Sequence, residues 1–310
     1  TLERPDLDEL NDFFGCDVEG DFDVIEASFP ISLFGRTDGS FNKLRNSLLK
    51  HYAGFHEDKF DLMICTHNEA AFSEPGIQYI HFPEAVNEDV FLKDGEASFD
   101  LDRDRSLVHK AYLRIVEQYI PDKNKVSQNK SLCNSNYTKE VFEEAYDSEG
   151  DVLNPPVSME FDEKKDFDLR EDAFICVGRI APPKDQKGII RIFDEINKEL
   201  DLPLYIVGEG SSDYADEVRE MASEREHVVF EGRLSRRELK EKITSVKYGI
   251  HNLRGEHYGL APAEMVKGGC IVFVREKGGQ TDIVGNNERL IFKSEEDAVS
   301  KIKDVVEDRD

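Results

Sequence analysis

The sequence predicts an α/β protein built from two doubly wound, parallel-sheet domains that face a cleft. Short apolar runs alternate with helical patterns through most of the 310 residues, an order typical of parallel sheets with right-handed crossovers. Pro155-Pro156 and an acidic stretch over residues 160–172 interrupt this alternation once. Because adjacent prolines favour a stiff, extended linker, we place the domain boundary there, with residues 1–155 before it and residues 156–310 after it.

The first domain is predicted from its apolar runs and helical patterns. Strands are expected at residues 22–27, 61–66, 77–82 and 130–135, the second and third of them buried, and helices at residues 5–14, 41–52, 106–120 and 137–146. Residues 84–104 are acidic and irregular, which indicates a surface insertion. His67 and His81 each follow a strand, where residues that line a cleft would lie.

The second domain repeats strand and helix with little interruption. A helix is expected after each of its strands, which are predicted at residues 174–177, 204–207, 228–230, 248–251, 271–274 and 290–292. Ser235 and Glu238 form the pattern of a capping box at one helix start. Thr281 or Asp282 is expected to cap a later helix.

Composition narrows the class of protein. The chain has 66 acidic and 40 basic residues, a formal net charge of −26, and such a field repels nucleic acid. The acidic residues are spread along the chain, which suits either a halophilic source or an ordinary acidic cytosolic protein. The five cysteines show no metal-ligand spacing, and their odd number argues against a disulfide framework. No apolar run approaches the roughly 20 residues of a membrane-spanning helix.

Residues 249–284 hold the strongest candidate for a ligand site. Glu256 lies in a loop after a strand, and Glu264 lies in a helix predicted to start near Ala261. Two loops and two helix N-termini would meet there at one edge of a parallel sheet, where anionic ligands bind. Glu264 is placed to accept hydrogen bonds from a vicinal diol such as ribose, and Glu256 to face a sugar hydroxyl. The alternative is that Glu264 is an acidic residue favoured in the first turn by the helix dipole, and that Glu256 is a solvated loop residue.

A set of cations follows the strand at residues 174–177. Gly178 allows a tight turn, and Arg179 with Lys184 or Lys187 would clamp a diphosphate near a helix N-terminus. The alternative is a group of surface cations that balance an acidic domain. In the other domain His81 is the preferred contact for a reacting sugar, although a histidine at a strand end is often structural. No nucleophile-elbow serine or cysteine and no metal-binding cluster is found in the sequence.

Taken together, these segments resemble the retaining GT-B glycosyltransferases of family 4. The likeness to their donor site is carried by residues 250–284, IHNLRGEHYGLAPAEMVKGGCIVFVREKGGQTDIV, and by residues 174–188, FICVGRIAPPKDQKG. Residues 77–84 and 131–157 resemble further segments of the family, the latter its hinge region. The dolichol-pathway alpha-1,2-mannosyltransferases look closest, through Glu256-His257-Tyr258-Gly259 and the Gly278-Gly279 segment that ends in Asp282-Ile283-Val284.

The resemblance implies a GT-B fold of two Rossmann-like domains and a role for each candidate. Glu264 would hold the ribose, Glu256 would lie at the donor sugar, and His81 would approach the anomeric centre. The donor diphosphate and sugar would also be bound by Gly178, Arg179, Lys184 or Lys187, and the backbone of Tyr258, Gly259 and Leu260. The likeness to the mannosyltransferases implies transfer of a hexose, mannose from GDP-mannose, with retention of anomeric configuration and with neither cofactor nor metal.

The resemblance also implies partners and leaves alternatives. The partners would be a nucleotide-diphosphate sugar and a glycan or lipid-linked acceptor, for a cytoplasmic protein in peripheral association with the inner face of the membrane. The family pattern starts with a strand and a Gly-rich loop that are not found here, so the first domain is expected to lack them. A GT-B-like epimerase or phosphorylase, or a non-catalytic remnant that binds a nucleotide sugar, are the other interpretations.

Overall fold

The computed structural model describes residues 42–84, 121–161 and 165–308 and confirms the predicted fold class. Two fully parallel sheets are present in these residues, one of four strands and one of six. In the chain, the strands of the first sheet precede Pro155-Pro156 and those of the second sheet follow it. The domain boundary placed there stays a prediction. The elements predicted at residues 5–14, 22–27 and 106–120 lie outside the described residues, as does the insertion at residues 84–104 apart from Glu84.

The first sheet has the strand order β1-β2-β3-β4. Its elements, in chain order, are α1 (Asn42–Gly54), β1 (Ile64–Cys65), β2 (Ile77–Ile80), α2 (Lys123–Gln128), β3 (Lys130–Cys133), α3 (Asn136–Tyr146) and β4 (Asp151–Val152). Ile80, Val126, Cys133, Phe142 and Tyr146 form its buried core. Two predicted helices, at residues 41–52 and 137–146, are therefore confirmed as α1 and α3.

The strand predicted as buried at residues 61–66 is shorter and more exposed in the structure. Only Ile64 and Cys65 form a strand, and Leu62 and Ile64 are 52% and 58% exposed. Within the described part of the chain, β1 is the end strand of the sheet and pairs with β2 alone. An apolar run has the same appearance in sequence at the edge and at the centre of a sheet, and for this reason its burial was predicted wrongly.

The second sheet has the strand order β10-β9-β8-β5-β6-β7. Its elements are β5 (Glu171–Val177), α4 (Gln186–Ile196), β6 (Leu204–Val207), α5 (Asp213–Ser223), β7 (Val228–Gly232), α6 (Arg236–Ser245), β8 (Val246–His251), α7 (Leu260–Lys267), β9 (Ile271–Arg275), α8 (Gln280–Ile283), β10 (Ile291–Phe292) and α9 (Glu295–Glu307). The chain runs outward from β5 to β7 and then returns to β8, on the other side of β5. Strand order thus reverses between β5 and β8, the point at which α/β sheets bind ligands.

Two apolar layers cover the faces of this sheet. One includes Phe174, Phe193 and Tyr248, with the apolar faces of α4, α5 and α9 packed against it. The other includes Ile175 and Met265 and is covered by α6 and α7. Apolar residues spaced three or four apart produce these faces, as in α4, where Ile189, Ile192, Phe193 and Ile196 are fully buried.

Helix caps confirm one prediction and correct another. Ser235 and Glu238 form the predicted capping box at the start of α6. The N-cap of α8 is Gly279, whereas Thr281 and Asp282 lie inside that short helix. Their side chains have other partners, because the Thr281 hydroxyl donates to the carbonyl oxygen of Gly278 and the Asp282 carboxylate accepts from Asn136.

Candidate functional site

The candidate site lies where β5 and β8 end, at the reversal of strand order. A 3₁₀ turn, Pro182–Lys184, follows β5, and its last residue Lys184 faces the loop after β8. Glu256 belongs to that loop, and His251 is the last residue of β8. Lys184 therefore meets His251 and Glu256, about 70 residues further along the chain, at the carboxyl ends of two neighbouring strands.

Glu256 is the centre of this group. Its Oε2 lies 2.6 Å from the Lys184 Nζ and 3.1 Å from the His251 Nε2, and the latter two nitrogens are 3.4 Å apart. His251 is 2% exposed, and the side chains of Lys184 and Glu256 are 24% and 17% exposed. One carboxylate oxygen thus has two nitrogen neighbours in a mostly desolvated environment.

The charges of the group follow from burial and from these contacts. Burial by itself favours the neutral form of Glu256, but the hydrogen bond with His251 and the charge of Lys184 together outweigh it and lower the pKa of Glu256 to about 2. Burial lowers the pKa of His251, and the nearby Lys184 charge acts in the same direction against the hydrogen bond to Glu256. At neutral pH Glu256 is therefore ionised and the neutral form of the His251 imidazole is favoured.

The turn that carries Lys184 is tied to the end of β8. Asp185 has a left-handed backbone with φ of 45°, caps α4 by accepting a hydrogen bond from the Gly188 N–H, and accepts a second one from the side chain of Asn252. Asn252 is the residue after His251 and is 5% exposed. The position of Lys184 relative to Glu256 is thus set by paired side chains on both strand ends.

The structure separates the three predicted cations. Lys184 alone contacts Glu256, whereas Lys187 forms an ion pair with Glu217 and lies over the ring of Tyr214, on the side of α5. Arg179 is exposed and has no side-chain partner in the described ranges. Gly178, ahead of Arg179, has a φ of 154°, and no atom lies within 4 Å of the position that a Cβ would take. The contacts therefore favour Lys184 over Lys187 as the inner cation.

The predicted ribose carboxylate lies apart from this group. α7 starts at Leu260 after Gly259, whose φ is 104°, and Glu264 is one turn further along. Glu264 is half-buried, and burial raises its pKa against an opposing effect of Arg236. Tyr258, Gly259 and Leu260 form the connection between Glu256 and this helix, so their backbone lies between the two carboxylates in the chain.

His81 lies on the first sheet, after β2. Its ring is exposed, with Nε2 at 3.0 Å from the carbonyl oxygen of Thr66. Its backbone is held on both sides, because its N–H donates to Asn68 Oδ1 at 2.8 Å and its carbonyl accepts from Asn134 at 3.0 Å. His67 lies beside it, with ring centroids 6.2 Å apart.

The loop after β8 contacts the first sheet directly. The ring of Phe82 stacks on that of His257 at 4.1 Å with an interplanar angle of 11°. The Ser135 hydroxyl, at the N-cap of α3, donates to the carbonyl oxygen of His257. Asn136 donates to the carboxylate of Asp282 through both its backbone and its side chain. The segments that carry His81 and Glu256 are thus held next to each other.

Sequence reasoning missed three residues that organise this region. His251 resembles a core histidine because it ends an apolar strand, and Asn252 resembles a polar strand end. Ser135 lies in the segment at residues 131–157, for which the sequence predicts no role in the site. Their partners are distant in the chain, or in the case of His251 lie in a loop whose path the sequence does not show.

The part of the chain that includes the second sheet matches a known protein family. Residues 158–310 match the family model described as "Glycosyl transferases group 1". The site described above, apart from the residues of the first sheet, lies inside this match.

Curated relatives are similar over part of their length. A "GDP-Man:Man(3)GlcNAc(2)-PP-Dol alpha-1,2-mannosyltransferase" from Dictyostelium discoideum is 18% identical over 246 residues, which are 69% of this chain and 48% of that protein. The protein of the same name from Homo sapiens is 28% identical over 151 residues, 43% of this chain and 30% of that protein. The chain thus spans about half or less of the length of these relatives.

Solved structures are similar in fold. The Anabaena protein HepE, in a complex with UDP and glucose, has a TM-score of 0.55 at 14% identity, over 76% of this chain and 62% of its own. WaaG, described as a glycosyltransferase involved in lipopolysaccharide biosynthesis, also has a TM-score of 0.55 at 14% identity, over 92% of this chain and 79% of its own. Both support the two-domain GT-B architecture.

Proposed function

We propose that this protein, whose residues 158–310 belong to the glycosyl transferases group 1 family, transfers a hexose from a nucleotide-diphosphate sugar to a glycan or lipid-linked acceptor with retention of configuration. The observation that carries the proposal is the group of Lys184, His251 and Glu256 at the reversal of strand order. It combines a cation for a leaving diphosphate with an ionised carboxylate for a sugar, in a partly desolvated cleft.

The leaving group is the part of the donor that needs most stabilisation. In our proposal Lys184 and the exposed Arg179 neutralise the diphosphate as the bond to the sugar breaks, and the start of α7, where Gly259 supplies no side-chain cap, adds its N–H groups to their effect. Gly178 lets the diphosphate approach the backbone closely. Glu264 accepts hydrogen bonds from the ribose, and the backbone of residues 258–260 contacts sugar and phosphate.

The facing sheet supplies the rest of the site. His81 approaches the anomeric centre, and the contact of Phe82 and Ser135 with His257 closes the cleft around the donor sugar. Exclusion of water protects a reactive sugar from simple hydrolysis.

Mannose from GDP-mannose is the donor that we propose. The support is the printed name of the curated relatives, which are alpha-1,2-mannosyltransferases that use GDP-Man on a dolichol-linked glycan. The described residues form no helix of the length and hydropathy needed to cross a bilayer. We propose, from the dolichol-linked acceptor in the printed name of these relatives, that a lipid-linked acceptor is reached by peripheral association at the cytoplasmic face of the membrane, which vesicle flotation would test.

We propose that catalysis needs no metal ion, since Lys184 and Arg179 supply the positive charge at the diphosphate. Turnover should then be unchanged in excess EDTA. A loss of turnover that Mg²⁺ or Mn²⁺ restores would contradict this part of the proposal.

A thermal-shift screen of GDP-, UDP- and ADP-sugars tests the donor. A bound donor raises the midpoint of unfolding, by an amount equivalent to about 2.7 kcal/mol at 100 times its Kd. We expect GDP-mannose to give the largest shift and to be consumed when a lipid-linked acceptor is added. NMR of the product should show the anomeric configuration of the donor.

Two variants and one product assay test the site and the reaction class. Glu264→Ala and Arg179→Ala should each weaken donor binding, and unchanged binding would show that the site is assigned wrongly. Release of a sugar phosphate that depends on inorganic phosphate would indicate a phosphorylase instead. Donor binding without turnover with any acceptor would indicate a binding remnant.

A further inference from the structure

We propose that His251 is a positioning residue that holds Glu256 by its Oε2, so that Oε1 of the same carboxylate is presented to the donor sugar. The inference rests on the proposed function for the identity of the ligand. The structural part of the inference, that the imidazole of His251 fixes the carboxylate of Glu256, rests on the contacts in the free protein.

The two oxygens of Glu256 have different surroundings. Oε2 has the Lys184 Nζ at 2.6 Å and the His251 Nε2 at 3.1 Å. Oε1 has no hydrogen-bond partner among residues 42–84, 121–161 and 165–308, although the side chain is only 17% exposed. A carboxylate has about four lone-pair directions, so half of its acceptor capacity is left for a ligand. One oxygen is thus used by the protein itself and the other is available.

The protonation state of His251 follows from its neighbours. Lys184 carries a charge 3.4 Å from Nε2, and the ring is almost wholly buried, so the neutral imidazole is favoured. The contact with the carboxylate then requires the proton on Nε2, which donates to Oε2. Lys184 also donates to Oε2, and the two nitrogens lie close because they share this acceptor.

The elements around His251 explain why His251, and not Lys184, sets the position of the Glu256 carboxylate. His251 ends a strand with neighbours on both sides, β5 and β9, and its side chain is 2% exposed. Lys184 has a long side chain that is 24% exposed and would itself move toward a bound diphosphate. The imidazole therefore keeps the carboxylate in place when the ammonium group turns to a phosphate.

Variants of His251 that differ in one donor test the proposal. Gln can place its Nε2–H₂ near the position of the imidazole Nε2–H, whereas Met has a similar volume and no donor. We expect His251→Met to lower kcat for the sugar donor by about 10-fold to 100-fold, the effect of one hydrogen bond to a charged group. Binding of the nucleoside diphosphate without its sugar should change less than 3-fold, and His251→Gln should recover most of kcat.

The titration of Glu256 gives a readout that does not depend on turnover. It can be followed by carboxylate infrared difference spectra of the free protein, with Glu256→Gln to assign the band. The titratable neighbours are Lys184 on the 3₁₀ turn, His251 on β8, and His257, next in the loop. Loss of the His251 donor removes one of the effects that lower the pKa of Glu256, so this pKa should rise in His251→Met and stay low in His251→Gln.

A second histidine–carboxylate pair provides the matched control. The His227 Nε2 lies 3.1 Å from Asp194 Oδ1 at the opposite edge of the same sheet, ahead of β7. His227→Met should leave kcat and the Glu256 titration unchanged. Equal losses in His227→Met and His251→Met, or an equal effect of His251→Gln and His251→Met, would overturn the proposal.

Failure of the proposed function would look different. If wild-type protein turns over no sugar donor but the Glu256 titration shifts in His251→Met alone, the positioning role stands and the transferase assignment fails. If turnover is present and neither kcat nor the titration responds to His251→Met, the positioning role fails.

Discussion

The ammonium group of Lys184 lies 2.6 Å from Oε2 of Glu256, so the cation that we assign to the diphosphate is paired with the carboxylate that we assign to the sugar. In the free protein each group neutralises the other in a partly buried cleft. A bound diphosphate would offer Lys184 a second anion next to the first. This pairing keeps both side chains ordered before the donor arrives, which lowers the entropic cost of binding.

Lys184→Met should weaken the binding of a nucleoside diphosphate by about 10-fold to 100-fold, because a charge-assisted hydrogen bond to phosphate is lost. Isothermal titration calorimetry of GDP at two salt concentrations measures the effect. Lys187→Met is the matched control, since Lys187 is paired with Glu217 and should leave affinity within 3-fold of wild type. A larger loss in Lys187→Met than in Lys184→Met would reverse the assignment of the inner cation.

The backbone explains why sequence spacing left these two lysines as alternatives. Both lie in the same cationic segment after β5, three residues apart. The left-handed turn at Asp185 separates them, and Lys184 faces the loop after β8 whereas Lys187 faces α5. A side-chain direction set by one residue with positive φ is not encoded in the spacing of charges.

Other predictions succeeded where local signals were complete. β6 has the predicted bounds, Leu204–Val207, because Pro203 and Gly208 bracket one apolar run. The capping box of α6 is likewise a pattern of neighbouring residues. The cap of α8 was predicted wrongly because Asp282 has its partner, Asn136, at the start of α3 beside the first sheet. Contacts between distant segments thus mark the limit of what the sequence predicted.

Glu69 should make the stability of the first unit, the described residues that precede Pro155 around the first sheet, depend on pH. Its side chain is fully buried, and both of its oxygens accept from the Glu84 N–H. Burial, together with the nearby Glu84 charge, raises the pKa of Glu69 to about 7, against 4.5 for an ordinary Glu. Between these values the folded protein keeps a proton that the unfolded chain releases. The contribution of protonated Glu69 to the free energy of unfolding is therefore fully present below pH 4.5 and is lost as the pH rises through 7.

Glu69→Gln removes this dependence while it keeps one oxygen to accept from Glu84. At pH 8 the variant should be more stable than wild type by up to about 3 kcal/mol, the equivalent of the pKa difference, and near pH 4.5 the two should agree. Urea unfolding at both pH values measures the difference. Glu74→Gln, at an exposed position, is the control and should follow wild type throughout. Parallel stability curves for wild type and Glu69→Gln would show that Glu69 titrates normally.

Substitution of Gly279 tests whether the contact between Ser135 and His257 is needed for sugar transfer. Its φ of −62° suits alanine, so a substitution there adds no backbone strain. A Cβ would lie 2.4 Å from the carbonyl oxygen of His257 and 2.6 Å from the Cβ of Ser135, the N-cap of α3 beside the first sheet. The methyl group of Gly279→Ala would therefore separate the two surfaces where Ser135 contacts His257.

We expect Gly279→Ala to destabilise the closed arrangement by about 1–3 kcal/mol, the usual cost of one overpacked group. kcat should fall by about 10-fold or more, and the radius of gyration in solution scattering should rise, because the units move apart to relieve the contact. Binding of GDP should fall less than kcat, since Arg179, Lys184 and Glu264, its proposed side-chain ligands, are not among the nearest atoms to the new methyl group. Gly54→Ala, where the nearest atom to a new Cβ is 3.5 Å away, is the control and should match wild type. If Gly279→Ala kept both kcat and the scattering profile of wild type, closure through Ser135 and His257 would have no part in transfer.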